Sequence, residues 1–65
     1  MKLVPAKDVH VGMIYLDIGQ WGDEIPIARI AVEIINGVEY RDLFDEDGNT
    51  LVGLAGPDEL IELAE

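Results

Sequence analysis

One histidine, one threonine, no serine and no cysteine occur among the 65 residues, so the side chains of covalent nucleophilic catalysis are almost absent. A Ser–His or Cys–His pair cannot be assembled within one chain, and disulfides and thiolate metal sites are excluded. His10 has no second histidine with which to share a metal, and it reads as a structural or solvent-facing residue. What remains is carboxylate chemistry. Asp23-Glu24 and Asp45-Glu46-Asp47 could exchange protons only inside a pocket that perturbs their pKa values, and exposed turns of so small a domain leave little room for one. Asp45, Asp47 and Asn49 alternate as calcium ligands do. An EF-hand loop, however, needs Gly at its sixth position and Glu at its twelfth. Here, counting from Asp45, Gly48 is fourth and Gly56 is twelfth, so a hairpin turn with Gly48 in the left-handed region explains the same residues. No enzymatic activity, cofactor or metal is expected.

The charge is large and one-sided. Fourteen Asp and Glu against four Lys and Arg give a formal net charge of −10. Lys2, Lys7, Asp8 and Asp17 cancel within residues 1–22, so residues 23–65 hold the whole excess. A surface of this sign repels phosphate backbones, and direct nucleic-acid binding is not expected. The plainer reading of the acids is a solvated surface that keeps an Ile-rich domain soluble. The sharper one is an electrostatic lure for a protein partner with a basic patch. On that reading the protein-binding residues are Trp21, Asp23, Glu24, Asp45, Glu46 and Asp47. Trp21 lies in a Gly-Gln-Trp-Gly-Asp loop, as a lid over the end of the fold or as an interface anchor.

These residues must be positioned by a folded scaffold. Ile, Leu and Val supply 21 of 65 residues, too many for a disordered acidic tail, and the length suits one domain over residues 1–65. No apolar run approaches the ~18 residues of a membrane span. The start, Met1-Lys2-Leu3-Val4-Pro5, lacks a long apolar stretch, so export is not indicated and the cytoplasm is the expected compartment. Turn signals at Val11-Gly12, Gly19 to Gly22, Asn36-Gly37, Asp47-Gly48-Asn49 and Gly56-Pro57 leave short segments between them, which is β spacing. Strands are expected over Met13–Ile18, Pro26–Ile35, Val38–Phe44 and Thr50–Leu54.

Asn36-Gly37 is the strongest local signal, and two registers compete around it. A two-residue loop pairs Ile35 with Val38 but sets Val32 opposite Arg41. A three-residue loop sets Ile34 opposite Val38 and Val32 opposite Tyr40, keeping one face apolar, and is preferred on that ground. Arg41 then serves as a cross-strand partner of Glu33 or Glu39, and Tyr40 faces the core. After Gly56-Pro57 the sequence fits either a short helix or one 3₁₀ turn followed by a closing strand with Ile61 and Leu63 inward; the strand is preferred because about nine residues make a weak helix. Ile27, Ala31 and Ile35 share the other face of the second long strand. A one-sided sheet leaves that face partly exposed, so a homodimer is expected through it or through an edge strand.

This order of elements resembles a small five-stranded antiparallel barrel of the Src-homology type, with a 3₁₀ turn before the last strand. The phrasing is also similar to small barrel proteins of tailed bacteriophages of actinobacteria. The resembling parts are Val4-Pro5-Ala6-Lys7-Asp8-Val9 leading into Val11-Gly12-Met13-Ile14, then Trp21, Asn36-Gly37, Asp47-Gly48 and Asp58-Glu59-Leu60-Ile61-Glu62. Such relatives carry Asp where this chain has Met13. The resemblance implies an all-β barrel and a phage origin, and no particular activity. The aromatic Ala-Leu-Tyr-Asp-Tyr segment of polyproline binders is absent, so that specificity does not carry over. The expected role is a non-enzymatic acidic module that binds a host or phage protein in the host cytoplasm, with a homo-oligomeric assembly protein as the alternative.

Overall fold

A computed structural model describes all residues except Trp21 and Glu65, together with their side chains except that of Gln20. The described chain is all-β and antiparallel. Its strands are β1 (Lys2–Pro5), β2 (Ile14–Asp17), β3 (Asp23–Pro26), β4 (Arg29–Ile35), β5 (Val38–Phe44), β6 (Thr50–Ala55) and β7 (Leu60–Leu63). They form one sheet in the order β1-β7-β2-β3 and a second in the order β4-β5-β6. Seven strands therefore replace the expected five, and no closed barrel is found among the described residues.

The difference begins at Ile27. The sequence reads as one continuous strand over Pro26–Ile35, but consecutive residues there bond to different sheets. Ile27 donates its N–H to Met13 O at 2.9 Å and accepts from Gly12 N at 3.0 Å, whereas Ala28 donates to Phe44 O at 2.9 Å. Phe44 is also the ladder partner of Arg29, so Ala28 sits where the β4–β5 ladder begins. This corner turns the chain from one sheet into the other and places Ile27, only 1% exposed, in the core. Ile27 therefore does not share an exposed face with Ala31 and Ile35, and the expected dimer face loses its first member. Alternation is broken at the corner, which a period-two reading cannot detect.

Both sheets contribute to one core. Val4, Ile61 and Leu63 come from the first, Leu43 and Ala55 from the second, and Ala6, Val9 and Ile27 from the connections. The closing strand is present as expected, with Ile61 and Leu63 buried and Glu62 between them. It lies between β1 and β2, pairing Val4 with Ile61 and Tyr15 with Leu63. The segment before it is a β-turn closed by Glu59 N–H to Gly56 O at 3.1 Å, with Pro57 at the second position where its fixed φ fits. The 3₁₀ turns lie elsewhere, at Ala6–Asp8 and Ile18–Gln20. Ala6 and Lys7 use their N–H groups on the carbonyls of Glu59 (2.8 Å) and Pro57 (3.1 Å), tying the first connection to the last.

The β4–β5 hairpin adopts the two-residue register. Ile35 pairs with Val38, Ile34 with Glu39, Glu33 with Tyr40 and Val32 with Arg41. Asn36 and Gly37 have φ of 51° and 80°, the left-handed pair that a type I′ turn requires. The expected three-residue register keeps one face apolar, but the hairpin end extends past the core: Val32 is 51% and Ile34 68% exposed. Without burial at the tip, turn chemistry decides the register. Consequently Tyr40 lies on the face opposite fully buried Leu43, not toward the core.

Candidate functional site

The strands and turns position the two expected acidic groups differently. Asp23 and Glu24 open β3, opposite Asp17 and Leu16, and are exposed. Glu46 and Asp47 are exposed in the turn between β5 and β6. Asp45 is occupied by that turn. Its Oδ1 accepts from Asp47 N at 2.9 Å and Asn49 N at 2.8 Å, and its Oδ2 accepts from Asn49 Nδ2 at 3.2 Å. The Asn49 backbone N–H is the largest cause holding the Asp45 carboxyl below its ordinary pKa, although desolvation opposes it. Gly48, with φ of 84°, completes the expected hairpin turn. Asp45 is thus a turn former, and only Glu46 and Asp47 of the trio face solvent free of such duties. The Asp23-Glu24 pair lies along β3 from the sheet-switching corner, while Asp45 follows Phe44 at the corner itself. Trp21 lies outside the described residues.

A different acidic constellation is assembled by tertiary structure. β2 and β7 of one sheet and β6 of the other border a cleft of about 320 Å³, lined among others by Tyr15, Asp17, Leu51, Val52, Glu59 and Glu62. None of its lining residues is basic. Burial, then the Asp17 charge, then the Glu62 charge raise the Tyr15 phenol above its ordinary value of 10.0, since each disfavours a further negative charge. Leu51 and Val52 offer an apolar wall, with exposed Leu60 and Ile18 at the margin. A lysine or arginine can lay its aliphatic stem on such a wall while its cationic head meets the carboxylates. Neither Asp17 nor Glu62 is singled out by local pattern. They meet only because β2 pairs with β7 near the chain's far end.

The chain's own cations leave this acidity unneutralised. Arg29 stacks on the Phe44 ring, 4.0 Å from its centroid. Arg41 does not pair with Glu33 or Glu39; its guanidinium reaches the connection between β1 and β2 and donates to Ala6 O (3.3 Å) and Val9 O (3.4 Å). Lys7 pairs with Asp58 at 3.5 Å in an exposed contact of small energetic weight. Among the described residues no three His, Asp or Glu side chains are grouped to hold a metal ion. A second groove of about 520 Å³, lined by Lys2, Met13, Ile14, Leu63 and Ala64, offers mainly apolar surface and one ammonium. No family model matches the chain, and neither a curated protein nor a solved structure matches it.

Proposed function

We propose that the chain is a non-enzymatic protein-binding module that receives a basic, partly apolar segment of another protein in the cleft between its sheets. The supporting observation is the cleft lining: Asp17, Glu59 and Glu62 beside Leu51 and Val52, with no cation among the lining residues. Exposed Asp23, Glu24, Glu46 and Asp47 extend the negative field around it and steer the approach. The passage of one strand path between sheets at Ile27–Ala28, around a shared core, supports reading the fold as a small Src-homology-type barrel. The resemblance noted for the sequence supports a phage origin and a host or phage protein as partner, met in the host cytoplasm. An assembly role as a homo-oligomer is the second reading, favoured by the exposed Val32 and Ile34.

Titration with a peptide that alternates lysine and leucine, followed by Trp21 emission and calorimetry, tests the binding reading. Asp17→Asn with Glu62→Gln is expected to weaken binding about tenfold. The association rate is expected to fall as added salt shortens the Debye length from ~10 Å toward ~3 Å. An acidic peptide that binds equally well, or a rate indifferent to salt, would reduce the carboxylates to a solubility device.

A further inference from the structure

Each sheet has two edges, and three of the four are blunted. β1 is four residues long, carrying Lys2 and Pro5. β3 carries Asp23, Glu24 and Pro26. β6 is distorted by two register shifts against β5 and by Leu54, whose φ is 48°. Charges, prolines and bulges of this kind are how edge strands avoid pairing with other chains. β4 has no proline and no register shift along its length, and its two charges are opposite in sign. It runs seven residues, Arg29-Ile30-Ala31-Val32-Glu33-Ile34-Ile35, in unbroken register with β5, and no other strand among the described residues pairs with it.

The hairpin geometry says which backbone groups are free. Ile35 and Val38 flank a type I′ turn and exchange both hydrogen bonds across it, so residues 29, 31, 33 and 35 spend their N–H and C=O on β5. Ile30, Val32 and Ile34 turn theirs outward. Val32 and Ile34 are also the most exposed of the strand's large apolar residues. In a chain of net charge −10, this strand is neutral: Arg29 and Glu33 are its only charges, and they lie symmetrically about Ala31.

We propose that a second copy of this chain pairs with the outer edge of β4, antiparallel across a two-fold axis at Ala31, joining the two three-stranded sheets into one of six strands. In that register Ile30 pairs with Val32 of the other copy, through the outward N–H and C=O groups of both. Arg29 pairs with Glu33 of the other copy, twice by symmetry, at non-hydrogen-bonded positions where side chains approach most closely. Shifting the axis to Glu33 sets like charges opposite one another, and an axis at Val32 leaves Arg29 facing Ile35. Charge therefore selects the register and the partner. A seven-residue edge lies toward or below the ~1,200 Å² of total buried surface typical of stable complexes, so the pairing is a concentration-dependent equilibrium rather than an obligate dimer. It is independent of the cleft between the sheets, and a dimer presents two clefts to a partner.

Sedimentation equilibrium over a wide range of protein concentration tests the pairing, with circular dichroism to check each variant's fold. Glu33→Arg reduces the net negative charge by two. General repulsion between acidic chains predicts a tighter dimer for it, whereas the paired register sets Arg29 against arginine and predicts a dimer affinity weakened at least tenfold. Arg29→Glu is expected to dissociate likewise, and the double exchange, which restores the net charge, is expected to return affinity to near that of the parent. Val32→Pro removes an outward N–H without touching the β5 ladder and is expected to abolish the dimer. A parent chain that remains monomeric at millimolar concentration, or Glu33→Arg dimerising as well as or better than the parent, overturns the proposal. Should Val32→Pro fail to fold, the charge exchanges at exposed positions decide alone.

Discussion

Arg41 stands on the core-side face of β5, flanked across the ladders by Val32 and Ala55, a place where an aliphatic residue would be ordinary. Its guanidinium accepts that location because two carbonyls of the first connection, Ala6 and Val9, turn toward it, and both of those residues are fully buried. Arg41 thus pins the Ala6–Asp8 turn to the opposite sheet. Arg41→Met leaves both carbonyls without that donor and is expected to cost about 1–2 kcal/mol, lowering Tm by roughly 5–15 °C in a thermal melt. Asp45 plays a comparable part in the β5–β6 turn. Its carboxyl is held below the unfolded value, so its contribution to stability is full above about pH 4 and is lost as pH falls through the lower, folded value. Chemical denaturation of Asp45→Ala against the parent should show a stability gap at neutral pH that closes in acid. Glu46→Gln should show no such gap.

At the scale of the strand, β6 departs most from ideal geometry. Between the pairs Arg41–Ala55 and Leu43–Val52, the single residue Asp42 on β5 faces Gly53 and Leu54 on β6. Leu54 absorbs the extra residue by taking φ of 48°, and its N–H donates to Asp42 Oδ1 at 2.7 Å. A branched aliphatic residue in the left-handed region is strained by about 1 kcal/mol, and half of this side chain is in solvent. Leu54→Asn, which tolerates that region, is therefore expected to raise stability by roughly 0.5–1 kcal/mol in urea unfolding. Asp42→Ala removes the acceptor and should act in the opposite direction. The Asn36-Gly37 turn needs no such relief, because its residue types already match its two positive φ values.

At the scale of the molecule, the excess of acids opposes compaction. Three of the four cations are committed to Phe44, to backbone carbonyls and to one exposed ion pair, so most carboxylates repel one another through solvent. Moderate salt should raise Tm by screening that repulsion, most steeply at low ionic strength. Neutralising Glu46 and Asp47 together should leave Tm unchanged or slightly higher and flatten its dependence on salt. Adding Asp45→Ala to the pair should reverse the gain. The three neighbouring acids, alike in sequence, differ because one is spent on the turn and two are not.

The all-β class, the closing strand and the β5–β6 turn were legible in the residues themselves, because each rests on local rules. Turn-forming Gly, Asn and Pro recur at short intervals, Ile61 and Leu63 alternate around Glu62, and Asp45 to Asn49 close on their own backbone. Non-local geometry decided the rest. The corner at Ile27–Ala28 depends on Met13 and Phe44, which lie far off in sequence. The hairpin register followed its turn because the tip carries its apolar residues beyond the core, and the extent of the core is not written in the alternation of β4. Arg41 found backbone carbonyls instead of carboxylates because the first connection packs across β5. The cleft carboxylates Asp17 and Glu62 come together only when β7 inserts between β1 and β2. Local chemistry determined what each segment could be, and long-range pairing determined which side chains would meet, since a single bulge or inserted strand re-aims every residue beyond it.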